Sequence, residues 1–210
     1  MVETVGIDDR ERPGLRERKK RETRIALSWA AIQLTVERGW DNVRVEDIAA
    51  AAGVSTRTFN NYFSSKGEAI AARHVERAHA IAAELRAQPA DKPLWDAIID
   101  AALSQFALGL EPQGDASGQR AAGLKLMLAE PALQGEFAKA YMAAEAEFAE
   151  VVAERTGTDV TTDLYPKLVA GAIGAAISAV TQQRLHTPDA PMEELIREAF
   201  GRLATGLTAP

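Results

Sequence analysis

Four polar side chains, Thr56, Arg57, Asn60 and Asn61, stand on the outward side of one short helical segment of this chain. Their chemistry suits the edges of nucleic-acid bases. A guanidinium such as that of Arg57 can give paired hydrogen bonds to guanine O6 and N7. A carboxamide such as that of Asn60 or Asn61 can exchange a pair with adenine N6 and N7, and each such contact is worth about 1–3 kcal/mol of discrimination. Arg44 and Thr56 suit phosphate oxygens, which fix register without reading sequence. The helix start at Ser65-Lys66 is itself favourable for an anion, because its free N–H groups point outward.

These side chains need a rigid support, and the surrounding sequence provides one. Val45, Ile48 and Ala49 recur at i, i+3, i+4 and give a first short helix one buried face. Ala49 and Ala52 are small enough for a second helix to cross closely above them. Gly53 falls where the first helix must stop, because glycine enters the left-handed region without steric cost. Val54 plugs the space between the helices, and Ser55 or Thr56 can cap the next one. Phe59 and Phe63, four apart, turn back into the core, leaving Tyr62 at the edge of the polar face. Ser65-Lys66-Gly67-Glu68 fits the S-x-x-E pattern of a capping box and opens a further helix. Helix, glycine-centred turn and helix with one polar face is the layout of a helix-turn-helix, whose second helix enters the DNA major groove.

The stretch resembles the DNA-binding domain of TetR-family transcriptional regulators. The resemblance rests on Gly39-Trp40, Val45 through Ile48-Ala49, Ala52-Gly53-Val54-Ser55, Thr58-Phe59, Tyr62-Phe63 and Ser65-Lys66, and covers roughly residues 20 to 70. It implies that Tyr62 and Lys66 hold phosphates and that Ser55 and Thr58 belong to the same DNA-binding surface. Two positions depart from the family's pattern. Arg44 stands where a Thr N-cap is common, and Asn60 replaces a frequent aromatic, so another member's base preferences do not transfer.

The net charge of −6 runs against a DNA-binding role until its distribution is considered. Residues 10 to 24 hold eight basic and three acidic side chains, and residues 1 to 77 hold 14 basic and 12 acidic. The remaining residues hold 10 basic and 18 acidic. Positive charge is thus concentrated at the end where phosphates would be neutralised. The 210 residues are 47% hydrophobic, ample for a packed core, and the lack of cysteine excludes disulfides and thiolate metal sites. Residues 1 to 15 have no apolar signal core. The most apolar run, 168 to 180, is too short to span a bilayer. The expected location is the cytoplasm, with no membrane association.

No strand alternation persists, so the expected fold is all-α with about nine helices. Residues 1 to 14 are expected to form a disordered arm, and 15 to 70 a three-helix helix-turn-helix domain with its motif near 44 to 63. Residues 71 to 210 are expected to form a helical ligand-binding and dimerisation domain. Within the first helix, Ile25, Trp29, Ile32 and Val36 are expected to face the core. A break at Gln88 to Pro93 precedes a helix with Leu94, Trp95, Ile98, Ile99, Ala102, Leu103, Phe106 and Leu110. A loop over 111 to 118 leads to a short helix through Leu124, Leu126, Met127 and Leu128, and Pro131 opens the next one. The last two helices, near 163 to 186 and 192 to 207, are respectively rich in small residues and cleanly amphipathic. One monomer core would explain both. The family resemblance implies instead that they pair across a twofold axis as a four-helix bundle, giving a homodimer on a palindromic operator in double-stranded DNA.

The resemblance also implies a sensor body, in which a small apolar or amphipathic effector enters a cavity and moves the helix beginning near Ser65. Candidate wall residues are Ile99, Leu103, Phe106, Leu124, Met127, Leu128, Phe137, Tyr141, Ile173 and Ile177, with Tyr141 the best polar contact. A subgroup resemblance points to acyl-CoA-like or other lipophilic ligands, for whose phosphates Arg120 and Lys125 are candidates. The family's usual mode implies a repressor released by its effector. A helix-turn-helix regulator without an effector is the alternative. An enzyme is more distant: His74 and His79 are five apart, not at the i, i+4 spacing of a helical metal site, and the chain has no phosphate-cradling glycine loop or nucleophile elbow. No cofactor and no metal are expected, and Glu145, Glu147, Glu150 and Glu154 read as a solvated helix face.

Overall fold

A computed structural model describes residues 12–107, 125, 128–187 and 189–207. Among these the chain is all-α, with eight α-helices and one 3-10 turn. It divides into two compact units, Met1–Ile70 and Ala71–Pro210. Residues 1 to 11 of the expected arm, Leu110, the 111 to 118 loop, Arg120, Leu124, Leu126 and Met127 lie outside the described residues.

The first unit contains α1 (Arg12–Arg38), the 3-10 turn Trp40–Asn42, α2 (Val45–Ala51), α3 (Thr56–Asn60) and the start of α4 (Lys66–Ala87). Helix α1 begins at Arg12 rather than Leu15. Pro13 is tolerated there because the first turn needs no N–H from it. The buried line of α1 runs through Leu27, Ala31 and Leu34, with Ser28 and Thr35 beside it, while Ile25, Trp29, Ile32 and Val36 are only half-buried. The expected stripe therefore sits to one side of the true one. A polar residue was admitted to the core because the Ser28 hydroxyl donates to the Ala69 carbonyl. Residues 14 to 22 of α1, which carry most of the basic run, are exposed.

Local rules set the turn between α2 and α3. Gly53 has φ of +70°, and across it the Val54 N–H donates to the Ala49 carbonyl at 2.9 Å. This is the six-to-one bond that closes a helix through a left-handed residue. At the other end of α2, the Arg44 N–H donates to Asp47 Oδ2 at 2.9 Å, so Asp47 secures the start that Arg44 itself cannot cap.

The second unit contains the rest of α4, α5 (Leu94–Ala107), α6 (Pro131–Thr156), α7 (Leu164–His186) and α8 (Met192–Ala204). One core unites them, including Ile81 and Leu85 of α4, Ile98 of α5, Phe148 and Val152 of α6, Ile173 and Ile177 of α7, and Ile196 and Phe200 of α8. Met192, Leu195, Ala199 and Leu203 pack against the same core. The apolar stripe of α8 is thus spent within one protomer, and its outer side is polar, with ion pairs Arg197–Glu193 at 3.0 Å and Arg202–Glu198 at 2.9 Å. Of the acidic run on α6, Glu145, Glu150 and Glu154 are exposed as expected and Glu147 is half-buried; Glu147 and Glu154 pair with Arg86 of α4 at 3.6 and 3.0 Å.

Helix α7 has 23 residues and, by length and composition, enough apolarity to cross a membrane. The 168 to 180 run understated it, because the helix extends beyond that run at both ends. One face of it, with Val169, Ala170, Ile173, Ala176, Ile177 and Val180, is buried against protein.

A single side chain fastens the turn between α4 and α5. Arg155, near the end of α6, donates from Nη1 to the Leu85 and Gln88 carbonyls at 3.1 and 2.9 Å. Its Nη2 donates to the Pro89 and Lys92 carbonyls at 2.8 and 3.4 Å. Arg155→Ala is expected to lower the stability of this unit by about 2 kcal/mol, because hydrogen bonds to a charged donor are worth more than neutral ones. Denaturant unfolding followed by Trp95 fluorescence in a Trp29→Phe, Trp40→Phe background measures this. A wild-type midpoint would mean that the clamp contributes nothing.

Candidate nucleic-acid interface and helical-body cavity

Helix α3 has only five residues, far too few to be stable by itself. It is held from below. Phe59 is fully buried and its ring centroid lies 5.7 Å from that of Phe63. The Arg24 guanidinium covers the Phe63 ring at 4.6 Å and donates to the Tyr62 carbonyl at 3.3 Å, tying α1 to the end of the motif. Ser55 is the N-cap: its Oγ accepts from the Thr58 N–H at 3.1 Å and bonds Thr58 Oγ1 at 2.9 Å.

With these bonds made, the upper side of α3 is left for other partners. Arg57, Asn60 and Asn61 are exposed and carry no side-chain hydrogen bond to another described residue. Thr56, Thr58 and Tyr62 are half-buried, and Arg44 and Ser55 are exposed. Lys66 differs from expectation. Its Nζ donates to the Trp40 and Val43 carbonyls at 2.6 and 2.9 Å and lies 4.1 Å from the Trp40 ring centroid. An ammonium has three donors, so only one remains for a phosphate after these two bonds. At the start of α4, Ser65 Oγ accepts from the Glu68 N–H at 3.0 Å, while the Glu68 carboxylate reaches Ser64 N and Oγ, both at 2.7 Å. The reciprocal half of the expected box is displaced by one residue.

The second unit contains a cavity of about 270 Å³ between α4, α6 and α7. His74, Arg77 and Ile81 line it from α4, Tyr141, Glu145 and Phe148 from α6, and Gly171, Gly174, Ile177 and Ser178 from α7. The His74 and Tyr141 rings meet edge to face with centroids 4.2 Å apart. Burial, and then the charge of Arg77, push the His74 imidazole from its ordinary 6.5 down to about 4, so it is neutral at physiological pH. Burial, and then the charge of Arg73, lower the Arg77 guanidinium from its ordinary value to about 10. A Cβ at Gly171 would lie 3.4 Å from Glu145 Oε1, an ordinary contact, and one at Gly174 would meet nothing within 4 Å.

Residues 29–72 match the family described as bacterial regulatory proteins, tetR family, and residues 92–208 match the MftR C-terminal domain. The chain belongs to the TetR family. It is 30% identical over 187 residues to the HTH-type transcriptional regulator TcmR of Streptomyces glaucescens, covering 87% of this chain and 82% of that one. It is also 30% identical over 195 residues to the transcriptional regulator MftR of Mycobacterium tuberculosis, covering 90% and 93%. A TetR-family protein from a Rhodococcus species shares the fold, with a TM-score of 0.58 and 21% identity over 89% of this chain and 99% of that one. The first unit therefore carries a TetR-family DNA-binding helix-turn-helix, and the chain is a transcriptional regulator.

The TetR-type body accommodates the expected wall residues unevenly. Tyr141 and Ile177 line the cavity. Ile173 is fully in the core, and Ile99, Leu103 and Phe106 pack against that core rather than lining the space. Leu128 and Phe137 are half-buried and away from the lining, and Leu124 and Met127 are outside the described residues. Lys125 is exposed and does not line it. Sequence reasoning missed His74, Arg77, Glu145 and Ser178, and in the reading unit it missed Arg24. The available signals were His74 and Arg77 at i, i+3 and Tyr141 and Glu145 at i, i+4, each pair on one helical face.

Proposed function

We propose that this TetR-family chain is a homodimeric, cytoplasmic repressor of a palindromic operator, released when a small molecule enters the α4–α6–α7 cavity. The observation that carries it is the exposed trio Arg57, Asn60 and Asn61 on a helix whose supporting bonds are already satisfied. Rigid support of this kind lets a bidentate contact discriminate bases without paying again for order.

Two features support the finer parts of this reading. Helix α4 begins at Lys66, directly after the motif, and carries His74 and Arg77 into the cavity wall. A ligand that binds two positions of α4 unequally shifts the DNA-binding equilibrium by that difference, typically about 1–3 kcal/mol. For the dimer, α7 leaves Leu164 and Leu168 66% and 60% exposed, with Ala175 and Ala179 exposed further along the same side. That line is unspent apolar surface suited to a symmetric copy of itself. Since α8 faces solvent with paired charges, α7 carries the apolar share of this interface.

Arg57→Ala is expected to weaken operator binding by about five- to 150-fold, matching the worth of one bidentate base contact, while nonspecific affinity falls less. Lys66→Ala is expected to weaken all duplexes alike. Titrations against operator and scrambled duplexes at fixed salt distinguish the two. If both variants lost every sequence equally, Arg57 would not be a base reader. Footprinting the wild-type chain on its own upstream DNA, with and without cell extract, tests the rest: a protected palindrome supports the dimer, and relief of protection supports the effector.

A further inference from the structure

The α4–α6–α7 cavity has an unusual charge arrangement for a greasy-ligand site. Arg77 lies in its wall with the guanidinium face 4.6 Å from the Phe106 ring centroid. Among the described residues, its Nε is buried without a hydrogen-bond partner. The charged neighbour that acts on it is Arg73, which opposes its protonation. Glu145, the carboxylate in the lining, is exposed to solvent and is not another.

A guanidinium taken out of water normally ends against a carboxylate, because its desolvation is otherwise uncompensated. Stacking on Phe106 fixes the plane of Arg77 while leaving its in-plane donors to be satisfied. Across the space, Ile81, Phe148 and Ile177 are apolar, and Gly171 and Gly174 leave room for a flat body. At about 270 Å³ the volume lies near the lower end of small-molecule sites.

Building on the effector reading above, we infer that this cavity takes a small organic anion, a carboxylate on a compact flat apolar body, with Arg77 as its counter-ion. The carboxylate meets the Arg77 fork, and the body lies between the apolar wall and the glycine side of α7. The neutral His74 ring, fixed edge-on to Tyr141, offers a hydrogen bond without a competing charge. Such a ligand satisfies a group that the described residues leave unpaired, so binding is selective for charge before it is selective for shape.

The test uses three probes of matched shape, benzoate, benzamide and benzamidine, titrated calorimetrically into the full-length chain. Benzoate is expected to bind at least about tenfold more tightly than benzamide, with benzamidine weakest, as for loss of a charge-assisted pair. Arg77→Gln is expected to remove that advantage while leaving benzamide affinity unchanged, and Arg77→Lys to keep most of it. Because Arg77 has no buried carboxylate partner among the described residues, the thermal midpoint of ligand-free Arg77→Gln is expected to stay level or rise, so a binding loss is not a folding loss. Benzamide or benzamidine binding as tightly as benzoate overturns the inference, as does the absence of binding by all three up to their solubility limits. Extract-dependent release of DNA that persists in Arg77→Gln overturns the anion assignment while leaving the effector reading in place.

Discussion

Phe59→Ala is expected to cost the first unit about 3–5 kcal/mol and to abolish binding to every duplex, specific or not. The side chain is fully buried and is the main anchor of a five-residue helix. Removing it takes away the ring that packs at 5.7 Å on Phe63, and Phe63 in turn supports the Arg24 guanidinium at 4.6 Å. The loss therefore spreads from α3 to the contact that ties α1 to Tyr62. A segment this short has no propensity reserve with which to remain helical once its anchor is gone. The contrast with Arg57→Ala is diagnostic, because that substitution leaves the scaffold intact and removes only a head group. Unfolding of the first unit can be followed separately in a Trp95→Phe background, where Trp29 and Trp40 both report on residues 1 to 70. Phe59→Ala retaining a wild-type midpoint, or retaining nonspecific DNA affinity, would mean that α3 is held by something other than this ring pair.

The parts of the fold that were legible in the sequence are those governed by neighbours within a few residues. Gly53, Ser55 and the spacing of Val45, Ile48 and Ala49 define a turn and a cap whose bonds all close locally. The outward position of Arg57, Asn60 and Asn61 follows from the inward position of Phe59 and Phe63 on the same short helix. Contacts over long separations were not legible. Lys66 bonds carbonyls 26 and 23 residues away, and Arg24 reaches Tyr62 across 38. Nothing in either residue's surroundings marks it as a fastener: the family resemblance implies a phosphate for Lys66, and Arg24 counts only as part of the basic run.

Periodicity shows that a face is buried, not what buries it. The stripe of α8 was correctly read as apolar on one side, yet its partner is α5 and α7 of the same protomer rather than a second copy. The glycines and alanines of α7 were read as a surface for close helix approach, and part of that surface instead borders a cavity. A void has no composition of its own. Its walls were sought among the largest apolar residues, but those fill the core, and the space opens where small residues on α7 face polar ones on α4 and α6. Metal spacing, which His74 and His79 lack, says nothing of the pairing of His74 with Arg77 on one face.

That pairing leads to the second large expected effect, an acid sensitivity centred on His74. Its folded-state pKa of about 4 lies below the ordinary value of 6.5, because burial and the neighbouring Arg77 charge both oppose its protonation. Between these two values the unfolded chain binds the proton that the folded chain refuses. Stability therefore rises with pH through this window. The contribution is fully present above about pH 6.5, falls as the pH drops toward 4, and changes no further below that. The groups facing the ring are Arg77 on its own helix and Tyr141 on α6; Glu145, also of α6, lines the same cavity. A shift of this size corresponds to an upper bound of about 3 kcal/mol, enough to remove a large fraction of the stability of one helical unit. Replacing the ring by an uncharged amide, His74→Gln, is expected to flatten the wild-type slope between pH 6.5 and 4 and leave the remaining carboxylate-driven loss in place. Urea unfolding at closely spaced pH values, followed through Trp95 in the Trp29→Phe, Trp40→Phe background, compares the two chains directly. Parallel slopes in wild type and His74→Gln would show that the imidazole titrates as though it were in water, and would place it outside the buried wall of the cavity.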